Sequence, residues 1–173
     1  IEFFSSETKL VLDKNNKIKN IILVEGNDAN QIIEELMLIA NETIAKIFND
    51  KKVTGLYRIH SSPDNVKLSN IINLLSELNI SNKKFDVHNS TGLQQILDHI
   101  GDKPYRSLIN GLILRSMKQA EYSTNNIGHY GLAKKYYTHF TSPIRRYPDL
   151  IVHRIIKEIF FSKSDYTHLK SSE

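Results

Sequence analysis

Polar and apolar positions along this chain follow two periods. Residues 2–12 alternate loosely in Phe, Thr, Val and Leu, DKNNK at 13–17 supplies turn residues, and IKNIILVE at 18–25 is a second apolar run. That is the pattern of an N-terminal β-hairpin. From Asp28, with Gln31 placed as its capping-box partner, the period becomes helical. Ile32, Ile33, Leu36, Met37, Ala40, Ile44, Ile47 and Phe48 recur at helical spacing, and Leu38 and Ile39 widen the stripe. The helix is therefore expected to be buried on more than one side. GLYRIH at 55–60 reads as a short extended segment, and SSPD at 61–64 opens another helix, with Ser62 as N-cap and Pro63 at its first position. Val66, Leu68, Ile71, Leu75 and Leu78 give that helix an apolar face through about Asn79. Residues 81–88 are expected to be a loop. A short helix over 91–100 is capped near Ser90, and another covers about 104–120, interrupted in composition by Gly111.

After a loop at STNNIG, HYGLAKKYYTHF at 129–140 has aromatic and β-branched content without a helical period, which predicts extended structure. Ser142 and Pro143 repeat the cap-then-proline pattern. Pro148 lies too deep for a regular first turn, so there is either a short turn before a helix at 148–161 or one kinked helix. Leu150, Ile151, Ile155, Ile156, Ile159 and Phe160 form its expected buried stripe, and the polar tail 162–173 is expected to fray. The expected fold class is α+β: a hairpin, then several helices and further strands, with a partial mixed or antiparallel sheet packed by helices.

Composition narrows the setting. The 173 residues, 40% hydrophobic, suit one ordinary domain with a real core. No apolar run approaches the roughly 20 residues of a membrane span, and no signal-peptide pattern is present. A chain that starts at Ile1 without Met and ends on a polar tail reads as a piece cut from something longer. The chain has no cysteine, which excludes disulfide scaffolds and thiolate metal sites and makes a cytoplasmic protein the natural expectation.

Charge directs attention to one stretch. Residues 129–157 hold Lys134, Lys135, Arg145, Arg146, Arg154 and Lys157 against a single acid, Asp149, while the whole chain carries only +4. A local basic patch suits a phosphate-bearing partner, and equally a solvated charged face. Arg145, Asp149 and His153 are four apart and share a face if helical. Free N–H groups at a helix start near Ser142 would accept an anion, Arg forks hold phosphate oxygens, and Tyr130, Tyr136 and Tyr137 could stack bases. Tyrosines in extended segments more often pack than stack. Asp149 and His153 could ligate a metal, but two ligands close no site, and an internal Asp–His hydrogen bond is the simpler expectation. Glu34 and Glu35 complement a helix dipole before they suggest catalysis. No Gly-rich phosphate loop, nucleophile elbow or zinc-protease helix occurs. Physical reasoning on the residues alone reaches a nucleic-acid-binding element of an α+β domain.

The longer motifs carry a family resemblance. NIGHYGLAKKYYTHFTSPIRRYPDLIVHR at 126–154 resembles the signature of the RNase II/RNase R exoribonucleases within their catalytic RNB domain. LILRSMKQAEYS at 112–123, LYRIHSSPD at 56–64, IIEELMLIAN at 32–41 and IEFFSSETKLVLD at 1–13 resemble further family segments in the right order, somewhat closer to the RNase R branch. The resemblance implies processive 3′→5′ hydrolysis of single-stranded RNA to nucleoside 5′-monophosphates, with Mg²⁺ held by clustered aspartates. It implies that Arg145 contacts the phosphate near the scissile bond and that Arg146 and Arg154 support the RNA path or local fold. Glu34 or Glu35 would meet the terminal ribose. His129, Tyr137, His139 and Ser142 belong to the same signature, and Arg58 and Arg115 fall in matched motifs where structural salt bridges are expected.

One departure matters. The family's Asp-rich metal motif lies upstream of the stretch covered here, and Asp28, Asp64, Asp86, Asp98 and Asp102 are too scattered to replace it. The flanking OB-fold domains are also missing. Residues 1–161 are thus expected to be the later half of an RNB domain, with no metal ligands of its own. Mg²⁺ would belong to the full-length enzyme, and the fragment would be inactive alone and open to self-association. The competing expectation is a non-catalytic RNA-binding or scaffold module derived from the same fold.

Overall fold

The computed structural model describes residues 7–24, 28–80 and 86–161. The tail at 162–173 and most of the loop expected at 81–88 lie outside the described residues. The hairpin forms as anticipated: β1 (Glu7–Leu12) pairs antiparallel with β2 (Ile18–Val24), with Leu10 opposite Ile21. Asp13 organises its turn, accepting from the backbone N–H groups of Asn15 and Lys17.

The long helix α1 (Asp28–Asp50) is buried only in its second half, where Ala45 and Phe48 are fully enclosed. Ile32, Ile33, Leu36 and Ile39 stand 56–60% exposed, against the expectation of burial on more than one side. Their apolar surface has no cover among the described residues, so periodicity identified the helix and misjudged what packs on it.

Two cores organise the rest. In the first, α2 (Asn65–Glu77), α3 (Ser90–Ile100) and α4 (Arg106–Ser116) bury Leu68, Ile71, Leu75, Leu93, Ile96, Leu97, Ile100, Ile109 and Ile113 together. The cap of α2 is Asp64, whose carboxylate accepts from Val66 N–H, rather than Ser62. Asn89 caps α3 by accepting from Gly92 N–H, next to the expected Ser90. The expected helix over 104–120 is shorter at both ends. Its C-terminal residues feed β4 (Glu121–Ser123), a strand absent from the sequence reading because three residues carry no period.

In the second core, β3 (Tyr57–Ile59) pairs antiparallel with β4, and its Tyr57 and Ile59 pack with Ala45 and Phe48 of α1 and Val152 and Ile159 of α5 (Tyr147–Phe161). Phe48 meets Tyr57 edge-on at 6.2 Å. On α5, Ile155, Ile156 and Ile159 of the expected stripe pack into this core, fully buried Val152 joins them, and Phe160 is half-exposed beside the Lys51 ammonium. The segment at 129–140, predicted extended, is mostly irregular and includes one 3-10 turn, Tyr130–Leu132. It is held by backbone and side-chain bonds to the β3 region. Arg58 N–H donates to Tyr137 C=O (2.9 Å), Tyr130 N–H donates to His60 C=O (2.8 Å), and Thr138 Oγ1 donates to Leu56 C=O. The α+β class stands, with the sheet component among the described residues consisting of two antiparallel pairs and isolated bridges from His129 to His60 (parallel) and to Lys134 (antiparallel).

Candidate functional site

The turn before α5 is built on Asp149. This carboxylate, 0% exposed, accepts from Ser142 N–H (2.8 Å), from Arg146 Nε (3.0 and 3.1 Å) and from Arg146 Nη2 (2.8 Å). Arg145 and Arg146 N–H groups both donate to Ser142 C=O, closing the turn. The helix then starts at Tyr147, and Pro148 falls in its first turn, where the missing N–H has no intrahelical acceptor to lose. The structure thus takes the alternative of a short turn before a new helix.

Three expectations change with this turn. Ser142 N–H is committed to Asp149 rather than free for an anion. Arg145 lies in the turn and not on a helical face with Asp149 and His153. His153 bonds elsewhere: its Nε2 donates to Phe140 C=O (2.9 Å) while its ring stacks on Phe140 at 4.2 Å. The expected Asp149–His153 bond is therefore replaced by an Arg146–Asp149 pair.

Opposite the turn, the first half of α1 completes a cleft of about 270 Å³. Glu34, Met37, Leu38 and Asn41 form one wall, and Tyr137, Thr141, Ser142, Arg145 and Arg146 form the other. The cleft distinguishes the two glutamates by position. Glu34 lines it and Glu35, one position further round the helix, does not. The two arginines also separate. Arg146 is spent on Asp149, whereas Arg145 is exposed and has no acid within ion-pair distance among the described residues. Arg154 lies apart, in a groove with Phe140, Leu150, His153 and Phe161.

The stacking expectation does not survive for Tyr137. Its ring is 6% exposed and meets His129 and His139 edge-on at 5.3 and 5.8 Å. Tyr130 is half-buried, with its hydroxyl 3.4 Å from Val87 C=O. Arg58, expected in a salt bridge, instead holds its guanidinium 4.7 Å from the Tyr122 ring centroid. Asn41 was missed altogether. It is 3% exposed, accepts from Phe140 N–H (2.9 Å) and donates to Tyr137 Oη (3.1 Å). An amide inside an otherwise apolar helical stripe was the available signal.

Behind the cleft lies a ladder of rings. His60 is 5.0 Å from His129, and His139 receives or gives a hydrogen bond at Nδ1 to Tyr122 Oη (2.7 Å). Burial, reinforced by His60 and Arg58, lowers the His129 imidazole to about 4. Burial, reinforced by Arg146, lowers His139 to about 4 as well. Both rings are therefore neutral near pH 7. In an unfolded chain they would take up protons near pH 6.5, while the folded protein resists until about pH 4. Their contribution to stability is present above pH 6.5 and lost as pH falls towards 4. The melting temperature should fall on acidification from pH 7 to 4.5 and stay flat from pH 7 to 8. NMR titration showing either imidazole protonating near 6.5 would contradict this.

The residues present do not fit the Mg²⁺ site that the resemblance implies. Among the described residues, no three His, Asp or Glu side chains gather closely enough to hold a metal ion, and Asp149 is enclosed by its four hydrogen bonds. No helix among the described residues is long and apolar enough to cross a membrane.

Known proteins resemble this chain along most of its length. The RNB domain model matches residues 1–162. Ribonuclease R of Thermotoga maritima is 42% identical over 166 residues, covering 96% of this chain and 23% of that protein. The structure of Mycoplasma genitalium RNase R in complex with ribose methylated single-stranded RNA superposes with a TM-score of 0.83 at 35% identity, covering 93% of this chain and 25% of that one. A yeast pseudonuclease also matches, with a TM-score of 0.66 at 28% identity, over 82% of this chain and 18% of its own. The chain spans about a quarter of the length of the curated relatives it matches. With the family model running along nearly its whole length, this chain belongs to the RNB domain family of Ribonuclease R-like nucleases.

Proposed function

We propose that this segment forms the phosphate- and ribose-handling wall of a processive 3′→5′ exoribonuclease that releases nucleoside 5′-monophosphates from single-stranded RNA. The observation that carries this reading is the cleft that Glu34 and Arg145 both line. An uncommitted guanidinium suits a phosphate, and a carboxylate across from it suits a ribose 2′-hydroxyl, the group that separates RNA from DNA. Support comes from the family itself and from the RNA-bound RNase R that superposes on the chain. We place Mg²⁺ and its aspartates outside the described residues. The uncovered apolar side of α1 suits packing against the rest of such a domain.

The test is made on the complete protein that carries this segment. A 5′-labelled oligoribonucleotide should shorten from its 3′ end with mononucleotide release, and internal cleavage would overturn the reading. Glu34→Gln should weaken the preference for RNA over the matching DNA by about tenfold or more, the scale of one hydrogen bond to a charged group. Glu35→Gln should leave the preference unchanged.

A second reading is a non-catalytic RNA-binding module. The match to a yeast pseudonuclease favours it, since this fold is also found in a protein described as no nuclease. Tight RNA binding without mononucleotide release would establish that reading instead.

A further inference from the structure

We infer that Asn41 is a positioning residue that makes the Tyr137 hydroxyl a fixed hydrogen-bond donor to RNA in the cleft. The inference rests on the proposed function above and assigns a specific polar contact within that site.

The argument begins with the direction of two hydrogen bonds. Asn41 follows Glu34 by seven residues, two helical turns, so it lies about 10 Å further along the axis on nearly the same face. The Phe140 backbone N–H, 2.9 Å away, can only donate, so the atom facing it is the oxygen Oδ1. That places Nδ2 against Tyr137 Oη at 3.1 Å. An amide nitrogen can only donate, so the Tyr137 oxygen is the acceptor there and its own proton must point elsewhere.

The surroundings leave that proton to a ligand. Arg146 and Arg58 beside the phenol have no lone pairs to offer. His139 Nδ1 is engaged by Tyr122, and the Asp149 oxygens are engaged by Ser142 and Arg146. No acceptor for the Tyr137 proton is found among the described residues. Burial raises the Tyr137 pKa above its ordinary value of 10.0, which keeps the phenol protonated at neutral pH. The residue lines the same cleft as Arg145 and so offers its proton to a ribose or phosphate oxygen bound there.

The test is a double-mutant cycle in the complete protein, read as kcat/KM on a single-stranded oligoribonucleotide. Tyr137→Phe removes only the hydroxyl and should cost about tenfold, the scale of one neutral hydrogen bond. Asn41→Asp keeps an oxygen for Phe140 N–H but has no proton for Tyr137, so it draws the phenolic proton away from the cleft. It should cost about the same factor. The two changes together should cost no more than the larger alone, because Asn41 acts through the hydroxyl. A further loss from Asn41→Asp in the Tyr137→Phe background would overturn the inference, as would wild-type kinetics for Tyr137→Phe. If Asn41→Asp does not fold, Tyr137→Phe alone decides. Arg145→Ala is the control: if it too is without effect, the proposed function fails, whereas an Arg145 effect without a Tyr137 effect sinks this inference only.

Discussion

Arg145→Ala in the complete protein is expected to slow RNA hydrolysis by about 10²–10³-fold, the loss typical of removing one preorganised donor from a developing anion. The expectation follows from the division of labour in the turn. Arg146 is anchored to buried Asp149, while Arg145 projects into the cleft from a backbone that Ser142 C=O fixes on both arginine N–H groups. Because the Arg145 side chain makes no ion pair among the described residues, its removal should leave folding unchanged. RNA binding should also become less salt-sensitive, with the slope of log affinity against log salt falling by about 0.7 for one phosphate contact on a single strand. Salt titration of binding and single-turnover hydrolysis check the two parts separately. An unchanged slope with unchanged hydrolysis would remove Arg145 from the site. Arg145→Lys should recover charge and slope but little rate, because an ammonium does not reproduce the planar fork.

Asp149→Ala is expected to loosen the cleft wall by about 3 kcal/mol, because it leaves the mostly enclosed Arg146 guanidinium and the Ser142 N–H without their acceptor. The carboxylate is wholly enclosed and its arginine partner is about one-quarter exposed, so the pair is far less screened than a surface salt bridge. Hydrogen exchange at 141–153 should accelerate on the order of a hundredfold, with the α2–α3–α4 core unaffected. Hydrolysis should fall as Arg145 loses its fixed backbone. Asp149→Asn, which keeps one oxygen acceptor, should fall between wild type and alanine. Protection unchanged in Asp149→Ala would show that the turn is held by something other than this carboxylate.

The two expectations differ in how far they could be read from the chain alone. Arg145 was singled out by its place in the SPIRRY motif and its basic surroundings. Asp149 stands in the sequence as the lone acid of the basic stretch, on a common helical spacing with Arg145 and His153, with nothing local to pair it with Arg146. The helical period cannot say which of Arg145, Arg146 and His153 an acid will meet, since all lie within reach of one turn. Likewise Glu34 and Glu35 are adjacent and chemically identical, and no local rule ranks them. Asn41 bonds across 96 and 99 residues of sequence, a separation that periodicity does not sense.

By itself, the sequence determined the hairpin, the helices and the family. The hairpin, the helices and the basic motif are local patterns, set by side-chain period, capping chemistry and turn residues within a few positions of one another. The tertiary structure decided which side chains share a space. It buried Tyr137 against Asn41 rather than exposing it as a stacking platform, committed Arg146 to Asp149, and left Arg145 lining the same cleft as Glu34. It also left the first half of α1 uncovered. Each of these outcomes depends on what lies opposite a residue across the fold, and burial and pairing are properties of both partners together.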